Sequence, residues 1–329
     1  MLALCTATSL TMLPSMPRHI LRPLGCGGAR AVRLCQSLAA DVPPPSSAGA
    51  RRRVLLDEAT AEDWERAIEA LQPFARANRM TRLSDVISKR RARLHLVLEN
   101  IADPYNIAAV LRTAEGLGVQ NVHIIESVHS PMHEPMHVPM PERSQPNRGP
   151  LGKVAMGASR WLTVSRYRSA ADCCAHLREQ ELQIFASDCP PVLDADDEAR
   201  DKPDRWRDQR DAAFDALPID QLDFAGAGGG GTGRGTALVF GNERRGVSRA
   251  FIERADRAFY LPMCGLTQSF NISVAVAMSL YHATASGAFP EGSLPHEARV
   301  QLLGRWLLRD VKAARQLLLQ RANLEFTDF

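Results

Sequence analysis

Three loops of this chain carry side chains that could orient a substrate and move a proton. The side chains are Asn106 and Arg112 after the apolar segment LHLVLENI (94–101), Glu243 in the glycine-bracketed loop GNERRG (241–246), and Ser269 and Asn271 before the small-residue-rich segment 272–287. A guanidinium group can hold a phosphate, and carboxylate, hydroxyl and amide groups can align a reacting oxygen. Simpler roles are also open, because Ser and Asn are common helix caps and Arg is common on protein surfaces. The functional interpretation therefore depends on whether the three loops meet.

The segments around these loops alternate between short apolar strands and helices. The predicted strands are LHLVLENI, NVHIIES, QIFASD, ALVFGNE and AFYLPM, and the predicted helices begin at Asn106 as a cap, within RSAADCCAHLREQEL, and at Ser269 and Asn271. This alternation predicts an α/β domain with a parallel sheet and helices on both faces. Ligands of open parallel sheets bind beyond the carboxyl ends of the strands, and all three polar loops follow such ends. We therefore expect the loops to form one site.

The three segments, in this order and spacing, resemble the three motifs of the SPOUT-class, TrmH-type RNA 2′-O-ribose methyltransferases. The resemblance covers residues 76–287. It implies a SPOUT fold with a deep trefoil knot at its C-terminal side, S-adenosyl-L-methionine as the cofactor, RNA as the substrate and a homodimer. The small residues of the segment 274–285 would let two copies of that helix approach closely.

The resemblance also assigns roles to individual residues. The implied catalytic set is Arg112 with Asn106, Glu243, Ser269 and Asn271, and the implied cofactor-binding set is Gly241, Leu261, Met263 and Phe270, with Ser187 as a weaker candidate. Because the pKa of arginine is very high, Arg112 is better suited to orient a phosphate than to accept a proton. Phe270 stands where the family usually has Leu, and Asn242 also departs from the family pattern, but neither change removes a polar group that the chemistry needs.

The segments on either side of this domain are expected to be helical extensions. We divide the chain into residues 1–50 (transit peptide and linker), 51–92 (a helical basic arm that binds RNA), 93–288 (the SPOUT domain, with insertions at about 129–150 and 189–235) and 289–329 (an amphipathic helix). The net charge of +3 is too small to indicate nucleic-acid binding by itself. Basic residues do cluster in the extensions, as phosphate binding requires: Arg76, Arg79, Arg82, Lys89, Arg90, Arg91 and Arg93, and then Arg299, Arg305, Arg309, Lys312, Arg315 and Arg321. Solvated helix faces would explain the same clusters.

Helical arms on both sides, with Gln268 just before Ser269, look more like the transfer-RNA enzymes of the family that methylate the guanosine at position eighteen in the D-loop. Two alternative functions stay open. The protein could methylate the 2′-hydroxyl of ribosomal RNA, or it could be a subunit of this fold that binds RNA without catalysis. Retention of all five polar site residues favours an enzyme.

Several features exclude other classes of protein or suggest a location. The seven cysteines form no CxxC pair, and the imidazoles of His129, His133 and His137 are separated by prolines, so we expect no metal site. No apolar run is long enough to span a membrane.

The first acidic residue is Asp41, and the residues before it include four arginines and no lysine. This composition is typical of a transit peptide and predicts a mitochondrial location, with the plastid and then the cytoplasm as alternatives.

Overall fold

The computed structural model describes residues 51–126, 157–188, 216–224, 234–267 and 269–329. The predicted leader at 1–50, the histidines of the first insertion, the glycine run at 226–233 and Gln268 lie outside these ranges. The strands are β1 (Arg52–Val54), β2 (Arg91–Glu99), β3 (Val119–Ile125), β4 (Thr163–Tyr167), β5 (Leu182–Ser187), β6 (Leu217–Pro218), β7 (Gly235–Phe240), β8 (Arg257–Tyr260) and β9 (Leu324–Phe326). The helices are α1 (Ala61–Leu71), α2 (Ala77–Ile87), α3 (Pro104–Gly116), α4 (Ala170–Glu179), α5 (Arg249–Ile252), α6 (Ile272–Ala285), α7 (His296–Asp310) and α8 (Ala314–Arg321).

Seven of the strands form one parallel sheet in the order β4-β3-β2-β7-β5-β8-β6. Strands β3 and β4 extend the sheet on one side of β2, while β7, β5, β8 and β6 extend it on the other side. The strand order therefore reverses between β2 and β7, which pair in parallel from Leu94↔Thr236 to Leu98↔Phe240. Such a reversal is where open α/β sheets form their ligand-binding crevices.

Helices cover both faces of this sheet, as predicted. Leu96 and Leu98 of β2 point to one face and join a core that also contains residues of α3 and α6. Val97, between them, points to the other face and joins a core with residues of α4 and α5. The period-2 alternation of a strand buried on both faces therefore explains the continuous apolar run of β2.

Some boundaries and elements differ from the sequence-based expectation. Strand β2 begins at Arg91, before the predicted domain boundary at residue 93, and the basic helix before it ends at Ile87. Strands β4 and β6 had not been predicted. The second insertion is partly structural, because β6 pairs with β8, and Ile219 and Phe224 are buried in the core on the α3 side.

The two terminal extensions form one layer instead of two separate arms. Strand β1 pairs in parallel with β9, and the residues of α1, α2, α7 and α8 share a single hydrophobic core. In this core the ring of Trp64 stacks on Phe326 with 4.6 Å between centroids. Gly304 of α7 faces Trp64 so closely that a Cβ there would lie 2.3 Å from the indole ring. The segment 289–329 thus contains two helices and a strand, because their apolar sides are buried against the N-terminal helices.

Several arginines that were predicted to bind RNA are paired within the protein. Arg90 is only 1% exposed, donates to Glu115 at 2.9 Å and lies over the ring of Trp306. Arg79 donates to Asp310 at 3.0 Å and thereby joins α2 to α7. Arg76 and Arg82 are exposed, so they remain suitable for a phosphate contact. The basic clusters thus stabilise the terminal layer in part.

A chain of buried polar groups crosses β2, β3 and β4. Nδ1 of His95 lies 3.0 Å from Nε2 of His123, and Nδ1 of His123 lies 3.2 Å from the hydroxyl of Tyr167. Burial lowers the pKa of His95 to about 4 and that of His123 to about 3. Both rings are therefore neutral at physiological pH, and Nε2 of His95 can donate to the carbonyl of Ala92 at 3.1 Å.

Among the described residues, no helix is long and apolar enough to cross a membrane.

Candidate active site

The loop after β7 folds back on itself at two glycines. Gly241 is buried, and a Cβ on it would lie 2.1 Å from the carbonyl carbon of Gly246. Gly246 has a φ of +71°, which favours glycine, and its N–H donates to the carbonyl of Asn242 at 2.7 Å. The side chain of Asn242 donates to the carbonyl of Asn100 at 2.8 Å and accepts from the backbone N–H of Arg244 at 3.0 Å. The loop is thus rigidly joined to the carboxyl end of β2.

A hydrogen-bond chain connects residues from all three predicted loops. Glu243 accepts from the backbone N–H of Ala102 with one carboxylate oxygen and from Nδ2 of Asn106 with the other, each at 3.0 Å. The Oδ1 of Asn106 then accepts from Nδ2 of Asn271 at 3.2 Å. Finally, Oδ1 of Asn271 accepts from the N–H and the hydroxyl of Ser273 at 2.9 and 2.6 Å. Residues 106, 243 and 271 are far apart in sequence, so the predicted convergence of the loops is confirmed.

Only one direction of donation satisfies this chain. The backbone N–H groups of Ala102 and Ser273, at its two ends, can only donate. The Oδ1 of Asn271 must therefore face Ser273, which turns its amide nitrogen toward Asn106 and the amide nitrogen of Asn106 toward Glu243. The carboxylate of Glu243 accepts two hydrogen bonds and donates none, whereas each asparagine of this hydrogen-bond chain both accepts and donates. An amide at position 243 would turn an N–H group toward one of these two donors.

Asn106 does not cap α3, in contrast to the prediction. Asp103 is the N-cap, and its side chain accepts from the backbone N–H of Tyr105 at 2.8 Å. Pro104 follows at the first helical position, where its missing N–H costs nothing. Because Asp103 supplies the cap, the side chain of Asn106 is available to bind Glu243 and Asn271. Asn271 does cap α6, as predicted.

Arg112 and Ser269 do not take part in the chain. Arg112 is exposed on α3, beside the buried residues Val110, Leu111 and Ala114, and no hydrogen bond or ion pair joins it to another described residue. It thus lies beside the apolar stripe of α3, and its guanidinium can bind an anion. Ser269 is also exposed and lies two residues before the cap of α6.

The residues implied in cofactor binding lie at the carboxyl edge of the sheet. Leu261 and Met263 follow β8 directly, Phe270 precedes α6, and Ser187 ends β5; these four residues are half-buried. Within the described residues, the backbone groups of Met263, Cys264, Gly265, Leu266 and Thr267 make no hydrogen bonds. Open backbone donors and acceptors beside half-buried apolar side chains fit the adenine and ribose of S-adenosyl-L-methionine. The described residues hold no cluster of His, Cys, Asp and Glu that could bind a metal ion.

A buried carboxylate at this edge was missed by the sequence reasoning. Glu99, the last residue of β2, is 3% exposed and accepts from the N–H of Ser248 at 2.8 Å and from its hydroxyl at 2.6 Å. Burial raises the pKa of Glu99, although the bonds from Ser248 oppose this shift. Glu99 therefore fastens the far end of the loop that carries Glu243. The signal was an acidic residue that ends an otherwise apolar strand.

Comparison with known proteins identifies the family of this arrangement. The sequence model of the SpoU rRNA Methylase family matches residues 93–281, more than half of the chain. The tRNA (guanosine(18)-2′-O)-methyltransferase of Escherichia coli K12 is 26% identical over 230 residues, which cover 68% of this chain and 80% of that enzyme. The Aquifex aeolicus enzyme of the same name is 24% identical over 71% of this chain and 90% of its own length. The 23S rRNA (guanosine-2′-O-)-methyltransferase RlmB of Vibrio vulnificus is 26% identical over 70% of this chain and 74% of its own length.

A solved structure agrees with this assignment at the level of the fold. The crystal structure of the A. aeolicus TrmH/SpoU tRNA modifying enzyme superimposes with a TM-score of 0.51 at 22% identity, and covers 71% of this chain and 98% of that one. The matched family region begins within β2 and ends within α6, so it includes all three loops of the hydrogen-bond chain. The chain belongs to the SpoU rRNA methylase family.

Proposed function

We propose that this protein transfers the methyl group of S-adenosyl-L-methionine to the 2′-hydroxyl of guanosine 18 in the D-loop of transfer RNA. The observation that carries the proposal is the hydrogen-bond chain through Asn106, Glu243 and Asn271, which unites the three motifs at the point where the strand order reverses. Membership of the SpoU family makes the protein an RNA 2′-O-ribose methyltransferase. Two relatives named for guanosine 18 of transfer RNA are matched over 80% and 90% of their lengths, which supports the specific substrate.

The residues of this chain position the reactants. S-adenosyl-L-methionine, when bound, supplies an electrophilic methyl group, and the groups around Gly241, Leu261, Met263 and Phe270 would hold it. Methyl transfer requires the ribose oxygen to be aligned, its proton to be removed and water to be excluded. Arg112 would hold the phosphate beside the reacting ribose, because its planar guanidinium is charged at any physiological pH. Ser269, exposed before the cap of α6, would lie at the substrate side of the site.

The oligomer and the knot belong to the same proposal. Helix α6 exposes Val274, Met278 and Tyr281 at 45, 42 and 67%, and their spacing of four and three residues places them on one stripe. An apolar stripe on a helix that already packs on α3 through its other side suits a partner helix. We propose that it forms the contact of a homodimer, and that the segment 261–287 closes a trefoil knot.

One observation favours a second substrate. The Vibrio vulnificus 23S rRNA enzyme is as similar in identity as the Escherichia coli transfer-RNA enzyme, at 26% each. Transfer RNA is supported by the terminal layer, which packs the two extensions into one unit beside the sheet. The ribosomal-RNA enzymes that this family resemblance suggests commonly carry a compact α/β RNA-binding domain before the knot instead. The exposed Arg76, which precedes α2, and the exposed Arg82 on α2 give the terminal layer a surface for RNA phosphates.

The test is methyl incorporation into unmodified transcripts, followed by mapping of the 2′-O-methyl position. We expect methylation of transfer RNA at guanosine 18 and little methylation of ribosomal RNA fragments. Preferential methylation of a ribosomal fragment would replace the proposed substrate by the alternative. Methylation of neither RNA, together with no heat of binding for S-adenosyl-L-methionine at millimolar concentration, would indicate a subunit that binds RNA without catalysis.

We also propose that the protein acts in the mitochondrion. The support is the acid-free N-terminal stretch with Arg18, Arg22, Arg30 and Arg33, all before Asp41. A fusion of residues 1–50 to a fluorescent protein should be imported into mitochondria. Accumulation in plastids or in the cytoplasm would contradict the assignment.

A further inference from the structure

An exposed aromatic side chain stands at the edge of the candidate active site. Tyr105 is 47% exposed and lies in the first turn of α3, directly before Asn106. Its hydroxyl makes no hydrogen bond to another described residue. Two other aromatic side chains are comparably exposed in the described parts of the chain. Phe74 lies under the guanidinium of Arg321, and Tyr281 lies on the apolar stripe of α6. Within the described ranges, no comparable contact involves the ring of Tyr105.

The backbone holds Tyr105 in a fixed position relative to the site. Its N–H donates to the carboxylate of Asp103 at 2.8 Å. Pro104, the residue before Tyr105, has a φ angle that is fixed by its own ring. The next residue, Asn106, is bonded to both Glu243 and Asn271. Consecutive residues of a helix point about 100° apart, so Tyr105 projects from the same turn as Asn106 in a different direction. Tyr105 is thus one residue away from the hydrogen-bond chain without belonging to it.

The chemistry of the substrate explains an aromatic ring at this place. Proteins that recognise RNA by sequence mostly bind loops, whose bases can be splayed out of a duplex, and the proposed target lies in such a loop. Such bases are commonly held by aromatic side chains, because each base has a flat face that stacks whatever its sequence. Tyrosine suits this role, since its ring is rigid and its hydroxyl tolerates water.

We propose that Tyr105 is a substrate-binding residue that stacks on an unpaired base of the RNA within one nucleotide of the methylated ribose. The inference rests on the proposed function, since it requires RNA as the substrate. It adds a contact with a base to the phosphate contact of Arg112. Stacking on Tyr105 would also favour the binding of an RNA loop over a duplex, because only an unpaired base can present its face to the ring.

The test compares Tyr105→Ala, Tyr105→Phe and wild-type enzyme in methylation of an unmodified transfer-RNA transcript. Loss of one stacked base weakens binding by about 5- to 100-fold. We expect the KM for RNA of Tyr105→Ala to rise within this range, while the affinity for S-adenosyl-L-methionine stays the same and Tyr105→Phe remains near wild type. The matched control is Tyr105→Phe, which keeps the ring in place and removes only the hydroxyl.

A second measurement separates stacking from a structural effect. Transcripts that lack the base at the target nucleotide or at either neighbour are tested one at a time. For wild type, one of these abasic transcripts should bind about as weakly as the intact transcript binds to Tyr105→Ala, and the variant should be insensitive to the same change. If Tyr105→Ala keeps the wild-type KM, or loses affinity equally for all transcripts, the stacking role is wrong. If the wild type methylates no RNA, the proposed function fails instead.

Discussion

Replacement of Glu243 by glutamine tests whether the direction of the hydrogen-bond chain matters for catalysis. Glutamine has nearly the same shape as glutamate, but one of its two terminal groups donates instead of accepting. In the wild type, both carboxylate oxygens accept, one from Ala102 and one from Asn106. In Glu243→Gln, the amide nitrogen must therefore face one of these donors. Reversal of Asn106 would only transfer the conflict to Asn271, whose Oδ1 is held by Ser273.

The size of the effect follows from the bonds that are lost. A hydrogen bond contributes about 0.5–1.5 kcal/mol net, and the exposure of Glu243 lets water replace part of it. Loss of one bond and weakening of the second should cost about 1–2 kcal/mol of alignment between the three loops. If this cost appears in the transition state, kcat/KM falls by roughly 5- to 30-fold. The fold should change little, because the chain lies at the edge of the sheet and outside the buried cores.

The assay is single-turnover methyl transfer to unmodified transfer RNA at saturating S-adenosyl-L-methionine, with thermal unfolding measured in parallel. The matched control is Glu253→Gln, which removes the same charge from an exposed carboxylate that accepts from Arg249 at 2.6 Å and lies outside the hydrogen-bond chain. Glu253→Gln should retain wild-type turnover. A Glu243→Gln enzyme within twofold of wild type, or an equal loss in both variants, would show that the polarity of the chain is irrelevant to the reaction.

Three further outcomes are expected. Arg112→Ala should lower turnover by on the order of 10²–10³, by analogy with a removed oxyanion donor, and Arg112→Lys should restore little of this loss. Methyl incorporation should show the loss of activity, and calorimetry should show that S-adenosyl-L-methionine still binds. Near-normal turnover of Arg112→Ala would refute the phosphate role. The pKa values of about 4 for His95 and about 3 for His123 lie below the unfolded value, so the unfolded chain binds more protons than the folded chain as the pH falls below about 6.5. Denaturant titration should show that the free energy of unfolding falls by about 2 kcal/mol per histidine between pH 7.5 and 5, with a shallower pH dependence in His123→Phe. A free energy of unfolding that does not change over this range would contradict the buried neutral pair. Met278→Glu should convert the proposed dimer to a monomer in light scattering, whereas a monomeric wild type at micromolar concentration would refute the α6 contact.

The sequence was sufficient for the features that depend on local patterns. Continuous apolar runs predicted β2, β3, β5, β7 and β8, because strands buried on both faces carry few polar residues. Their alternation with helices predicted the parallel sheet. Since parallel strands share one carboxyl edge, this architecture also predicted that Asn106, Glu243 and Asn271 would meet, although 165 positions separate the first from the last.

Only the tertiary structure decided features that depend on distant partners. Strand β1 has three residues, and its pairing with β9 at the other end of the chain has no local signature. Arg90 stands in a run of basic residues that reads as a solvated surface, yet its burial depends on Glu115 and Trp306 from two other elements. The role of Asn106 likewise depended on whether Asp103 supplied the cap, since either side chain could do so by residue type. Local sequence limits the conformations that a segment can adopt, but the partners that satisfy its polar groups come from the rest of the fold.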